Sequence, residues 1–363
     1  MKQATISVPG KLYIAGEYAV VTPGHLAMLM TVNRFLTVTI SQTELLIGKF
    51  RSVSYSEQPY KWIREDGQFE FSDWSNPYYL SKVVIQTVES YVKELNIPMQ
   101  FYDIRIVSEL DQNGKKIGLG SSGAVTIALI KALLTFYNVK FTDFDVYKLA
   151  AIAHSRLNSN GSFGDLAASA FTGMIAYSAF DKDWLKDQLM TKSITELLGM
   201  TWPLLHIRRV NLPNDLKILV GWTGEPASTE NLVGKIYSDS DQMDFNNFLE
   251  KSHQCVKQLI QAFNQKSTAN ILALIQLNRE LLVKMGHSKD KLIETPLLSK
   301  LCEVAESYGG SAKPSGAGGG DCGIAFIDDF NSEKQIIDAW DNVGIQALDL
   351  KIYQNGETDG QEK

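Results

Sequence analysis

The stretch GLGSSGAVTIALIKALLTFY, residues 118–137, constrains this chain more than any other. Apolar residues crowd every side of its latter part, which predicts a buried helix over residues 122–137. Gly118, Gly120 and Gly123 keep the entry to that helix free of side chains and spell a literal G-x-G-x-x-G. Such a junction aims unsatisfied N–H groups and the positive end of a helix dipole at one spot, which suits an oxyanion. Ser121 and Ser122 add hydroxyls that can donate to phosphate or ligate Mg²⁺, and Lys115 and Lys116 stand just ahead with positive charge. The same spacing also serves a structural glycine turn that merely closes a loop–helix junction.

The literal match is that of a dinucleotide-binding turn. That turn needs a strand leading straight into its first glycine, a helix following at once, and an acid about 20 residues on at the end of a second strand. Here residues 109–116 make a polar loop ahead of Gly118, and Asp143 and Asp145 fall at a helix start. Two of the three conditions fail, which sets a nicotinamide cofactor aside. No G-x-x-x-x-G-K-[ST] occurs either, so the predicted phosphate cradle is of another kind.

An anion must be gripped here by locally placed cations. The net charge is −6, which leaves no general basic field for nucleic acid or an anionic membrane. Apolar runs stop well short of the ~18 residues a membrane span requires. Cys255, Cys302 and Cys322 make no C-x-x-C, and the five histidines make no H-E-x-x-H, which argues against a disulfide framework or a zinc centre. The opening MKQATISVPG lacks the apolar core of an export signal, and the expected location is cytoplasmic.

At 363 residues two domains are expected. Alternating or β-branched residues predict strands at 4–8, 11–15, 35–40 and 101–107, with Pro9-Gly10 as a turn between the first two. Helical spacing predicts an amphipathic helix over 77–95, and Thr142 or Asp143 can cap another that runs to about Leu157. Strands at 204–210 and 216–222 follow, then helices over 241–285. Thr295-Pro296 is a helix start, Ser332 with Gln335 reads as a capping box, and Gly344 as the matching C-cap. The change of character places the division between domains at 205/206, giving units 1–205 and 206–363, with a disordered tail at 355–363.

Two further segments join the phosphate loop. GGSAKPSGAGGGDCG, residues 309–323, holds seven glycines in fifteen positions between a helix and an apolar strand. A loop there lets backbone approach a ligand more readily than it serves as a flexible linker. VPGKLYIAGEY, residues 8–18, puts Lys11 and Gly16-Glu17-Tyr18 at neighbouring ends of one strand; alone it would read as an ordinary hairpin.

In this order the three resemble the motifs of the GHMP kinases: a P-G-K-[LIV]-x-[LIV]-x-G-E segment at 9–17, G-L-G-S-S at 118–122 and G-A-G-G-G-D at 316–321. The resemblance spans nearly the whole chain. It implies an α+β fold, the GHMP kinase fold, with an N-terminal domain like the second domain of ribosomal protein S5, a ferredoxin-like C-terminal domain and a site between them. Tyr18, where several relatives carry His, resembles the phosphomevalonate kinases of Gram-positive cocci, as do AHSRLNSNGSFGDLAAS at 153–169 and GWTGEPASTENLV at 221–233. The sequence departs from mevalonate kinases at His154, which stands where those enzymes bring a metal-ligating glutamate; imidazole is a poor Mg²⁺ ligand.

The resemblance implies phosphoryl transfer from ATP to 5-phosphomevalonate, with mevalonate kinase or another small-molecule kinase of the family as the alternative. Lys11 and Asp165 are its catalytic residues. Lys116, Gly118, Leu119, Gly120, Ser121, Ser122 and Gly123 are implied to bind ATP, and Ser122 to hold Mg²⁺. Tyr18, Glu17, Ser162, Ser228, Ser315, Gly316, Ala317 and Gly318 form the expected acceptor side; Ser228 could equally be a helix N-cap. No nucleic acid, membrane or obligate protein partner is expected.

Overall fold

The computed structural model describes residues 2–53, 58–73, 75–112, 115–225, 242–289 and 291–355. Its spine is two long antiparallel strands, β1 (Gln3–Ala15) and β2 (Leu26–Gln42). β1 follows one edge of β2. The other edge is shared between β6 (Tyr102–Ser108), paired with residues 36–42, and β9 (Met174–Ser178), paired with residues 26–30. Val38 and Ile40 turn into the core while Thr37 and Thr39 face the hydroxyls of Ser7 and Thr5, as period-two alternation requires. β3 (Gly48–Ser52), β4 (Tyr60–Glu65), β5 (Gln68–Phe71) and β10 (His206–Val210) complete an eight-stranded sheet among the described residues.

Helices cover this sheet: α1 (Tyr79–Glu94), α2 (Ser121–Phe136), α3 (Asp143–Arg156) and α4 (Gly164–Phe171), with the shorter α5 (Lys182–Gln188) and α6 (Ile194–Gly199) beyond. α2 is the central one and packs on β1, β2, α1, α3 and α4. Its all-round apolar sequence is what such a position demands. Thr142 caps α3 through the Asp145 N–H, and Asp145 reaches back to complete a capping box.

The second lobe is a four-stranded antiparallel sheet in the order β12 (Ser311–Pro314), β13 (Cys322–Ile327), β11 (Lys217–Trp222), β14 (Gln346–Leu348). Helices α7 (Gln242–Asn264), α8 (Thr268–Ser288) and α9 (Pro296–Ser307) connect β11 to β12, and α10 (Glu333–Asn342) connects β13 to β14. This is the implied ferredoxin-like order. Ile218, Val220 and Trp222 face the main core with Val256 and Phe263 of α7, while Leu219 faces Leu301 of α9 and Trp340 of α10. Among the described residues no helix is long and apolar enough to cross a membrane.

Three expectations change. Pro9-Gly10 is not a turn: β1 runs through it, with a register shift against β2. The polar loop ahead of Gly118 holds a small hairpin, β7 (Asp111–Gln112) with β8 (Lys115–Lys116). Ser332 makes no side-chain cap; its hydroxyl donates to Asp329 O instead, and a short 3-10 turn precedes α10. His206–Val210, just past the expected division at 205/206, pairs with β9 and closes the first sheet. The chain also returns after β14: Tyr353 N donates to Thr31 O at 2.9 Å, and Gly173 N donates to Tyr353 O at 2.8 Å. Of the expected disordered tail, residues 356–363 lie outside the described residues.

Candidate active site

The loop at 118–123, expected to hold phosphate, is bare because charged side chains from three other segments occupy the space beside its glycines. A Cβ on Gly118 would lie 2.8 Å from Asp321 Cβ, one on Gly120 2.6 Å from Lys11 Cε, and one on Gly123 2.7 Å from Asp165 Oδ2. Gly120 is the N-cap of α2 in the left-handed region, with no side-chain cap. The first intrahelical bond into the loop runs from Ala124 N to Gly120 O, which leaves the N–H groups of Ser121, Ser122 and Gly123 ahead of it. Ser122 is exposed and Ser121 partly so.

Lys11 is fixed by both ends. Its backbone N–H donates to Leu119 O at 2.8 Å, and its Nζ donates to Gly118 O at 3.3 Å. A Cβ at Gly10 would lie 2.8 Å from Leu110 and 3.0 Å from Leu119 O, so the glycine before Lys11 serves this close approach. Burial pulls the Lys11 ammonium below its ordinary value, and Asp165 and Asp321 oppose that. Those two carboxylates favour the charged form.

Asp165 lies in the first turn of α4, whose entry is built from hydroxyls. Ser162 Oγ accepts from Gly164 N at 3.2 Å and lies 2.8 Å from Tyr13 Oη. Tyr177 donates to Ser162 O at 2.6 Å, and its hydroxyl lies 2.9 Å from that of Tyr147. Burial raises the Tyr13 and Tyr177 hydroxyls well above their usual range, so they act as neutral struts. His154 packs edge-on against Phe163 with Nε2 3.1 Å from Thr126 Oγ1, and burial lowers its basicity. It is a packing histidine between α2 and α3.

The expected acceptor residues divide. Ser162 stands beside Asp165. Glu17, Tyr18 and Ser315 are buried and tie the two lobes together. Glu17 Oε1 accepts from Lys313 Nζ and, at 3.3 Å, from Gly316 N; the Tyr18 hydroxyl donates to Ala317 O. Ser315 Oγ accepts from Tyr13 N and donates to Tyr13 O, each at 2.9 Å. Gly318 is left-handed and packed on Ile293 O so closely that a Cβ would collide. Lys116 is exposed on β8, with Lys115 beside it. Ser228 lies outside the described residues.

Sequence reasoning missed Asp321, Tyr13 and Lys313. Asp321 ends the glycine-rich loop with φ 55°, its carbonyl accepting from both the N–H and the hydroxyl of Thr223. An acid closing a run of glycines was the available signal. Nothing local marked Lys313, whose partner is Glu17, 296 positions away.

Residues 82–173 match the GHMP kinases N terminal domain and residues 259–346 the GHMP kinases C terminal. The chain is 36% identical over 355 residues to a phosphomevalonate kinase of Streptomyces sp. (strain CL190), covering 94% of this chain and 95% of that one. A Lin0012 protein from Listeria innocua superposes with a TM-score of 0.91 at 35% identity, covering 97% and 98% of the two chains. Streptococcus pneumoniae phosphomevalonate kinase in complex with phosphomevalonate and AMPPNP superposes at 0.84 with 29% identity, covering 96% and 99%. With both halves matched and a 36%-identical relative aligned over almost its full length, the chain belongs to the GHMP kinases.

Proposed function

We propose that this protein transfers the γ-phosphoryl group of ATP to the phosphate of (R)-5-phosphomevalonate, giving (R)-5-diphosphomevalonate and ADP, a step of the mevalonate pathway to isopentenyl diphosphate. The observation that carries it is the meeting of Lys11 and Asp165 at the glycines that open α2, in a chain 36% identical to a phosphomevalonate kinase. Phosphoryl transfer asks the protein for alignment and charge neutralisation more than for covalent help.

In this reading the free N–H groups at the start of α2 hold the nucleotide's terminal phosphates, with Lys116 reaching them from β8. Lys11 bridges donor and acceptor phosphates and stabilises charge on the group in flight. Asp165 orients Lys11 and the acceptor. Ser162 and the backbone of Gly316, Ala317 and Gly318 line the acceptor side, and Ser228 is assigned there too. The acceptor phosphate has a second pKa near ~6, so its attacking oxygen is already ionised at neutral pH and a strong general base is not required.

The residues present fit Mg²⁺. Ser122 offers an exposed hydroxyl one residue from the glycine that Asp165 abuts. Among the described residues no group of three or more His, Cys, Asp or Glu side chains could hold a metal by itself. One hydroxyl with a carboxylate nearby, completed by phosphate oxygens and water, is the incomplete protein shell Mg²⁺ favours. Ser122 would hold the ion, which would neutralise charge on the nucleotide phosphates. A cytoplasmic location, where ATP is available, suits this reaction.

An ADP-release assay with mevalonate, 5-phosphomevalonate and 5-diphosphomevalonate in parallel tests the reading. Turnover is expected with 5-phosphomevalonate. Turnover confined to mevalonate would make the protein a mevalonate kinase.

A further inference from the structure

We propose that Glu17, Tyr18 and Lys313 are positioning residues: they form a clasp from the first lobe that sets the glycine-rich loop 315–320 over the acceptor. The inference rests on the reading that this loop lines the acceptor side.

The loop cannot set its own position. Gly316, Gly318, Gly319, Gly320 and Asp321 all have φ between 55° and 140°, so no strand ladder runs through it. Ser315 N donates to Cys322 O at 2.9 Å and closes the neck. Beyond the neck the two halves answer to different lobes. Gly319 N donates to Ile293 O and Asp321 N to Glu225 O, both in the second lobe. Ser315, Gly316 and Ala317 are held from the first lobe, by Tyr13 backbone, Glu17 and Tyr18 in turn.

The burial of the Glu17–Lys313 pair argues for placement over stability. Lys313 is fully buried and Glu17 nearly so. Desolvating two charges cancels much of their attraction, and apolar replacements of such pairs are often as stable. Glu17 Oε1 serves both Lys313 and Gly316, whereas Oε2 is buried with no hydrogen-bond partner among the described residues. An unsatisfied buried oxygen is a stability cost that a purely structural contact would not need. What the arrangement does provide is a fixed bridge from the strand carrying Lys11 to the start of the loop. The Tyr18 ring, packed among Phe245, Phe248, Leu282 and Ile293, stiffens the same bridge.

The experiment compares Tyr18→Phe, Lys313→Met and the double variant Glu17→Gln/Lys313→Met with wild type. Lys313→Met strands a buried carboxylate and is expected to lower Tm; the double variant removes both charges and is expected to recover it. All three are expected to raise the KM for 5-phosphomevalonate about tenfold while the KM for ATP stays within about twofold. Peptides spanning 309–323 are expected to exchange amide hydrogen faster than in wild type, with α2 unchanged. If the double variant regains wild-type Tm, acceptor KM and loop protection together, the pair is only structural and the proposal fails. An unchanged acceptor KM in Tyr18→Phe, with unchanged loop exchange, overturns the Tyr18 part. Should wild type not use 5-phosphomevalonate, the functional reading fails on its own, and the exchange comparison still decides the clasp.

Discussion

Asp165 rests against Gly123: a methyl group on that glycine would sit 2.7 Å from the carboxylate Oδ2. One glycine at the start of α2 thus sets the place of Asp165, 42 positions later and the proposed catalytic carboxylate. Gly123→Ala should cut kcat at least tenfold by displacing Asp165, about 1.4 kcal/mol of barrier. Ala is the better helix former, so Tm should not fall from helix propensity. Steady-state kinetics and a thermal melt on one preparation check both, and full kcat would mean that Asp165 can shift without consequence.

Asp165→Asn should lower kcat while leaving its pH profile nearly flat above about pH 7, because the acceptor phosphate is ionised there without help. A profile that gains a steep alkaline rise would instead assign Asp165 the role of general base.

Burial disfavours the Lys11 charge, and Asp165 and Asp321 oppose that. Lys11→Met should lose at least tenfold in turnover, about 1.4 kcal/mol or more. An unaltered kcat would remove the bridging role.

Lys182 gives a stability test outside the reacting centre. Its Nζ lies over the Phe163 ring and donates to Asn160 O and Val21 O, and burial pushes it down to about 8. The unfolded chain, with an ordinary lysine near 10.5, binds more protons between those values, so this group makes stability rise from about pH 8 to about pH 10.5. Its full penalty applies below pH 8. Relative to Lys182→Met, wild type should gain about 1–2 kcal/mol across that window, the half-buried site screening part of the shift. Urea melts at pH 7.5 and pH 10 on both proteins measure it; parallel curves contradict it.

A control sits on the far end of α3. Thr142→Ala should cost about 1 kcal/mol of stability through the lost cap and leave kcat unchanged. Denaturant melts and the ADP-release assay read the two halves of that statement.

The features legible in the sequence are those that depend on neighbours along the chain. The helix over 121–136, the Thr142 and Thr295 caps and the glycine-rich loop all follow from residues within a turn or two of each other. The glycine-lined entry to that helix was legible for the same reason: glycines and a helix start are adjacent. Pro9-Gly10 shows the limit. Its composition signals a turn, but pairing with β2 and packing on Leu110 and Leu119 hold the strand straight through it. Tertiary contacts outweighed a local preference worth little by itself. The pairing of His206–Val210 is likewise non-local, because the β9 edge it joins is 28 or more positions away.

By itself, then, the sequence determined the elements, the three glycine-bearing motifs and the kinase family they resemble, since each is a statement about short stretches of chain. Tertiary structure alone decided which charge meets which glycine: Asp321 at Gly118, Lys11 at Gly120 and Asp165 at Gly123. It also turned Glu17 and Tyr18 toward the loop of the other lobe. These pairings join residues 42 to 299 positions apart, and no local propensity encodes them. They arise when burial of the two lobes' apolar faces brings the segments together, leaving each buried charge to find its partner in what the fold has placed beside it.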